Sequence, residues 1–292
     1  MTTTATVDAV EAPVRARRAV RATPTAWLVW GFVIFFFVNL AGVIGSVVVS
    51  SFGRQWFDTW LPEGFTGRWY GEAWRDFGLL PVLVTTVEVS LTVVVVSVLI
   101  GVPAAYVLAR RPFPGRRVLY LLFLLPILMP PITYGIPLAT VLYKYGFAGH
   151  FSGVVLANLV PSVPFVILTM TPFIEQIDPA IERAARMCGA GTGRIFVRIL
   201  APLLVPGILA ASILVLVRTV GMFELTFLTA GPDSTTLVVA LYNSMSAAGI
   251  RAQQSVDAMA VIYTGTMLVL LVLALRVVNP TQLVARVKEE PE

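Results

Sequence analysis

Long apolar runs alternate along the chain with short polar, basic or glycine- and proline-rich segments. Six runs are long enough for the ~20 residues a helix needs to cross a bilayer core. They lie at about 27–49, 79–109, 118–143, 151–173, 203–228 and 256–278. The expected fold class is therefore an all-α membrane protein with six transmembrane helices. Residues 1–24 and 281–292 are expected to be cytoplasmic tails, the first disordered, because they are charged and poor in large apolar residues. The six-helix domain is placed at 25–280.

Individual runs carry further detail. The third contains Pro126, Pro130, Pro131 and Pro137. Prolines free backbone carbonyls, which is tolerable in a membrane only where neighbours or a water-filled cavity satisfy them. A single proline-rich helix lining a pathway is predicted there. Ionisable groups inside spans are costly and default to functional candidates. Glu88, Arg218 and Glu224 qualify, and Tyr134 and Asn243 are further pathway candidates. Arg218 and Glu224 would sit about 120° apart on one ideal helix, so no direct pair is expected. Glu88 with Arg218 is open to two readings, an interhelical pair or a pathway role.

Between the first two runs lies a wetter segment, residues 51–78, holding Trp56, Trp60, Trp69 and Trp74 with Tyr70. Such rings favour the headgroup level, so an outer loop with an interfacial piece is predicted, with contact to a solute-delivering partner as the alternative.

Composition agrees with the pattern. The chain is 57% hydrophobic and 13% charged, against about 25% charged in soluble domains. The net charge of +5 does not indicate nucleic acid, because 15 of the 21 Lys and Arg residues sit in the first tail, the 110–117 turn, the 182–202 stretch and the C-terminal end from Arg276 onward. That distribution places these segments, and both termini, on the cytoplasmic side. A lone cysteine, Cys188, excludes an internal disulfide. His150 is the single histidine, and no metal site is indicated.

One stretch has more structure than a connecting loop needs: Glu182-Arg-Ala-Ala-Arg-Met-Cys-Gly189, then Arg194-Ile-Phe-Val-Arg-Ile199-Leu-Ala-Pro202. Helix formers end at Gly189. A second amphipathic piece then places Ile195, Phe196 and Ile199 on one side and Arg194 and Arg198 on the other. Gly189-Ala-Gly-Thr-Gly193 is no phosphate-binding loop, since it lacks the spacing and the lysine.

The stretch resembles the coupling loop of the permease subunits of binding-protein-dependent ABC importers. That pattern runs Glu-Ala-Ala, three residues, Gly, nine residues, Ile, one residue, Leu-Pro. Ala184, Ala185, Gly189, Ile199 and Pro202 match. Arg183 stands where the Glu is usual, Glu182 lies one place early, and Ala201 replaces the Leu. Ala104 to Arg110 and the prolines at 126, 130 and 131 add to the resemblance. Gly221-Met-Phe-Glu224 is similar to the branch serving polyamines, ferric iron and thiamine, whereas a carbohydrate importer usually has Asp at position 188.

The resemblance implies a type I ABC importer permease fold in the cell membrane, without cofactor or catalysis of its own. Its partners would be a dimer of ATP-binding subunits at the 175–202 cytoplasmic segment, a second permease chain and an extracytoplasmic solute-binding protein. Residues Glu182, Arg183, Ala184, Ala185, Gly189, Phe196, Ile199 and Pro202 would couple to the ATPase. Two other classes remain: a secondary transporter, which would show paired halves, and a lipid-acting enzyme, which would gather polar residues at one membrane face. Neither pattern is visible.

Overall fold

The computed structural model describes residues 24–54, 56, 61–246 and 252–277. The expectations for the N-terminal and C-terminal tails, and for Trp60, fall outside the described residues. The chain divides into two units, residues 1–46 and 47–292. The described part of the first belongs to helix α1 (Pro24–Phe52), whose sequence is apolar on every side.

In the second unit, α2 (Arg68–Asp76) is short and amphipathic, and α3 (Leu79–Arg110) is a long apolar helix. Then come α4 (Arg116–Leu128), α5 (Pro131–Lys144) and α6 (Phe151–Glu175). The coupling stretch forms α7 (Pro179–Met187) and α8 (Thr192–Ile195), and a π-helical turn at Phe196–Leu200 runs into α9 (Ala201–Val220). The chain finishes with α10 (Glu224–Thr229), α11 (Leu237–Ser246) and α12 (Gln253–Val277). Among the described residues five helical stretches are long and apolar enough to cross a membrane, or six if α4 and α5 count as one bent span.

The core explains the arrangement. Helices α3, α6 and α9 pack on one another around Val89, Val93, Val166, Ile167, Met170 and Val215, all essentially closed to solvent. Their outer flanks expose Leu91, Leu99, Leu156 and Leu214, as lipid-facing helices do. Buried Ser90, Ser97 and Thr171 return their hydroxyls to the carbonyls of their own helix, so none of these three donors is left facing hydrocarbon.

Three expectations are corrected here. The third span is not one helix: α4 and α5 meet at 99°. The α4 ladder closes with the Met129 N–H donating to the Leu125 carbonyl at 2.9 Å. Pro130 and Pro131 then offer no donors, and Pro131 starts α5 afresh. The fifth span also ends early. Helix α9 stops at Val220, and Gly221-Met222-Phe223 separates it from α10. Arg218 and Glu224 therefore do not share a helix, and the angle reckoned between them does not apply. Finally, the tryptophans do not act alike. Trp69 is buried, and its indole N–H donates to the Gly53 carbonyl at 2.7 Å, while Trp74 is exposed. Trp69 packs with Ala73, Leu79, Leu237, Ala258 and Met259, so it belongs to a small core rather than to an interfacial belt.

Candidate functional site: the coupling segment

Helix α7 is built to begin and end where it does. The Asp178 carboxylate accepts the Ala180 N–H at 2.7 Å, and Pro179 occupies the first helical position. At the far end Gly189 adopts φ +79°. Its N–H donates to the Arg186 carbonyl at 2.9 Å, and the Ala190 N–H reaches back to the Ala185 carbonyl at 3.0 Å. These two bonds form a Schellman cap, which requires a left-handed residue at position 189. Gly189→Ala is expected to cost about 1–2 kcal/mol, and Gly189→Asn less. Thermal unfolding of the two variants in lipid nanodiscs checks the order, and equal stability of Ala and Gly at this position would contradict it.

Glu182 is where the structure departs most from the sequence reading. It was expected to face a partner, but its side chain is only 4% exposed. Its Oε2 accepts the Tyr106 hydroxyl at 2.8 Å and an Arg186 N–H at 3.1 Å. Its Oε1 lies 2.9 Å from Arg110 Nε, an ion pair whose N–H is not aimed along the contact. Arg110 also donates to the Ile177 carbonyl, just ahead of α7. One carboxylate thus ties α7 to the last turn of α3. Nearby, Arg116 pairs with Glu175 at 3.1 Å, holding the start of α4 to the end of α6.

The remaining coupling candidates divide by face. Arg183, Ala184, Gly189 and Pro202 are exposed. Ala185, Phe196 and Ile199 are half-buried, with the Phe196 ring edge-on to Tyr106 at 5.4 Å. Phe196 is therefore committed largely to this chain's own core and is not free to insert wholly into another protein. Ile195 and Leu200 are fully closed off. The π-helical turn between them has a local cause. Pro202 lacks the N–H that would meet the Arg198 carbonyl, and the Ala201 N–H bonds instead to Phe196, five residues back. Beside this turn, Pro103, Tyr106, Val107, Arg111, Thr192 and Phe196 line an open groove of about 460 Å³.

The pathway candidates are not gathered into one site. Glu88 is exposed on α3 and makes no ion pair with Arg218. Arg218 lies over the Phe165 ring instead, at 5.7 Å. The Tyr134 hydroxyl is buried without a hydrogen-bond partner among the described residues, on the α5 face that meets Met222 and Leu225. Glu224 is half-buried at the start of α10. Asn243 is exposed and lines a separate cavity of about 290 Å³ with Phe77, Val82, Pro232 and Ser244. The sequence reading did not single out the packed rings of Phe223, Phe227 and Tyr242, whose centroids lie 4.8–5.4 Å apart. Their spacing at 223 and 227, one helical turn, was the available signal.

A multi-span helical membrane protein with a capped, amphipathic helix latched to the end of its longest helix is the architecture these residues define. Comparison with known proteins gives it a family. Residues 97–282 match the model of the binding-protein-dependent transport system inner membrane component. The chain belongs to this family, the permeases of ABC importers.

Among its relatives, the trehalose transport system permease protein SugB of Mycobacterium tuberculosis is 31% identical over 157 residues, 54% of this chain and 57% of the relative. The probable sulfate transport system permease protein cysT of Chlorokybus atmophyticus is 34% identical over 52% of this chain and 60% of its own length. The molybdenum transport system permease protein ModB of Escherichia coli K12 is 32% identical over 56% of this chain and 79% of its own. The matched region thus spans less than two thirds of the first two. A chain from the crystal structure of a bacterial ABC transporter that imports alginate superposes with TM-score 0.69 at 18% identity, over 90% of this chain and 98% of that one. The fold is that of an ABC importer permease.

Proposed function

We propose that the chain forms half of the translocation pathway of an ATP-driven importer, with the 182–202 segment as its contact to separate ATP-binding subunits. The observation that carries this reading is α7 itself. A nine-residue helix, capped at both ends and fastened to α3 through a buried carboxylate, still presents Ile181 and Met187 to solvent, the latter 84% exposed. A helix so fixed on one side and so apolar on the other is suited to pass a rigid-body movement into the bundle. The distribution of basic residues supports a cytoplasmic position for this segment and both termini. A second permease chain completes the pathway, and a solute-binding protein delivers cargo from outside. One of the superposable alginate importer structures contains a periplasmic protein bound to an alginate pentasaccharide.

The solute is small. Polyamine, ferric iron or thiamine follows from the resemblance of residues 184–189 and 221–224 alone. The relatives named above carry molybdenum, sulfate and trehalose in their names, which favours an oxyanion or a saccharide as the second reading. Glu224, Tyr134, Arg218 and Asn243 are the pathway residues to probe, with Glu88, exposed on α3, as a fifth.

Met187→Asp is expected to leave folding unchanged, because the side chain touches little. It should cut ATP-driven uptake in proteoliposomes about tenfold or more by placing a charge in the apolar contact. Deleting residues 182–202 should abolish co-purification of the ATP-binding subunit. Uptake by the chain alone, in liposomes free of any ATPase, would overturn the proposal.

A further inference from the structure

Helix α7 turns two neighbouring positions in different directions, and the consequence concerns the partner. Consecutive residues on a helix are separated by about 100°. Glu182 points into the molecule and is matched there by Arg110, Arg186 and Tyr106. Arg183 points out, beside Ala180 and Met187, both exposed and each one turn away. The one-place shift noted in the sequence is therefore an exchange of sign on the outer face, not a displaced carboxylate. Position 183 carries a guanidinium where the family pattern has an acid, and the acid at 182 cannot reach round to replace it.

From residue 183 to residue 202 every exposed charge has the same sign. Arg194 and Arg198 are exposed, and like Arg183 they make no ion pair among the described residues. The two carboxylates at the edge are already engaged. Glu175 holds Arg116 at 3.1 Å, and Asp178 accepts the Ala180 N–H at 2.7 Å. A membrane-topology preference accounts for basic residues somewhere on this side of the chain. It does not account for one beside the exposed Met187 on the face proposed to dock, where an unpaired charge must be desolvated.

We infer that the ATP-binding subunit docking on α7 presents a carboxylate to Arg183, in a groove whose lip is acidic where it faces residues 183–198, and that Arg183 thereby selects this subunit over those matched to an acid at the same position. The inference rests on the proposed docking role of α7. Charge complementarity of this kind governs partner choice and association rate more than total affinity.

The test uses the full-length chain in nanodiscs and the ATP-binding subunit co-expressed with it, separated and then titrated back. Binding is measured for wild type and for Arg183→Lys, Arg183→Gln and Arg183→Glu, between about 50 mM and about 500 mM NaCl. Arg183→Lys should bind nearly as wild type. Arg183→Glu should bind at least about tenfold more weakly at low salt and lose less affinity than wild type as salt rises. Binding of Arg183→Glu equal to or tighter than wild type overturns the inference while leaving the docking role of α7 intact. Equal weakening in all three variants without salt dependence also overturns it, since that pattern reports packing. If the subunit fails to bind even the wild-type chain, the docking role itself falls, and the inference falls with it.

Discussion

Glu182→Ala is expected to release α7 from α3 and to destabilise the protein by about 3 kcal/mol, the scale for removing one partner of a buried charge pair. The carboxylate meets three groups at once, and its removal leaves Arg110 without its counter-charge and the Tyr106 hydroxyl without its acceptor. Arg186 is half-exposed and can turn to water, so its loss counts for little. Glu182→Gln keeps the volume and one acceptor and should cost less than half as much. Tyr106→Phe, which removes only one hydroxyl, should cost about 1 kcal/mol. The functional effect should exceed the stability effect: with α7 no longer fastened, ATP hydrolysis by the complex should continue but cease to respond to the solute-binding protein. Thermal unfolding and stimulated ATPase activity, measured on the same preparations, separate the two. If Glu182→Ala unfolds at the wild-type temperature and keeps its stimulation, the carboxylate is no latch.

How much of this was legible beforehand depends on the length scale of the signal. Spans α3, α6 and α12 followed from apolar length alone, and the end of α7 followed from Gly189. The two helix breaks did not. Residues 118–143 and 203–228 are continuous in hydropathy, and hydropathy records only that a segment prefers lipid, not that it turns within it. Pro130-Pro131 marked the first break, but tandem prolines were read as a lining feature of one helix. Gly221-Met222-Phe223 gave almost no local signal, because the break is stabilised by α5 packing on Met222 and Leu225 from a distant part of the chain.

The inward turn of Glu182 was hidden for a similar reason. Its partners Tyr106 and Arg110 lie more than seventy residues away, and a charged residue on a short amphipathic helix reads as solvated. Only Arg186, four residues on, was visible as a partner. Trp69 shows the same limit: the tryptophan cluster was clear, yet which ring enters a core depends on Leu237 and Met259 arriving from α11 and α12. Local chemistry placed the C-terminal end of α7 at Gly189. Long-range pairing decided which of its side chains remain available.

The largest purely steric effect should appear where α3 crosses α6, the most extensive helix contact in the chain. A methyl group at Gly101 would stand 2.7 Å from Val166 Cγ1 and 2.8 Å from its Cβ, well inside van der Waals contact. Val166 cannot swing away, because a β-branched side chain in a helix is held to one main rotamer and its surroundings are closed. The helices would have to part, and in a membrane close backbone approach at small residues is a main source of attraction between them. Gly101→Ala should therefore destabilise by about 1–3 kcal/mol, and Gly101→Leu by more, despite the gain in helix propensity that Ala brings. Val166→Ala alone should cost about 1–2 kcal/mol as a small cavity. The double variant is the decisive measurement. Val166→Ala removes the Cγ1 obstruction and leaves the Cβ at 2.8 Å, so relief is partial, and Gly101→Ala with Val166→Ala should be more stable than the sum of the single losses by about 0.5 kcal/mol or more. Strict additivity of the two losses, in unfolding experiments on the chain in nanodiscs, would show that α3 and α6 do not meet at these residues.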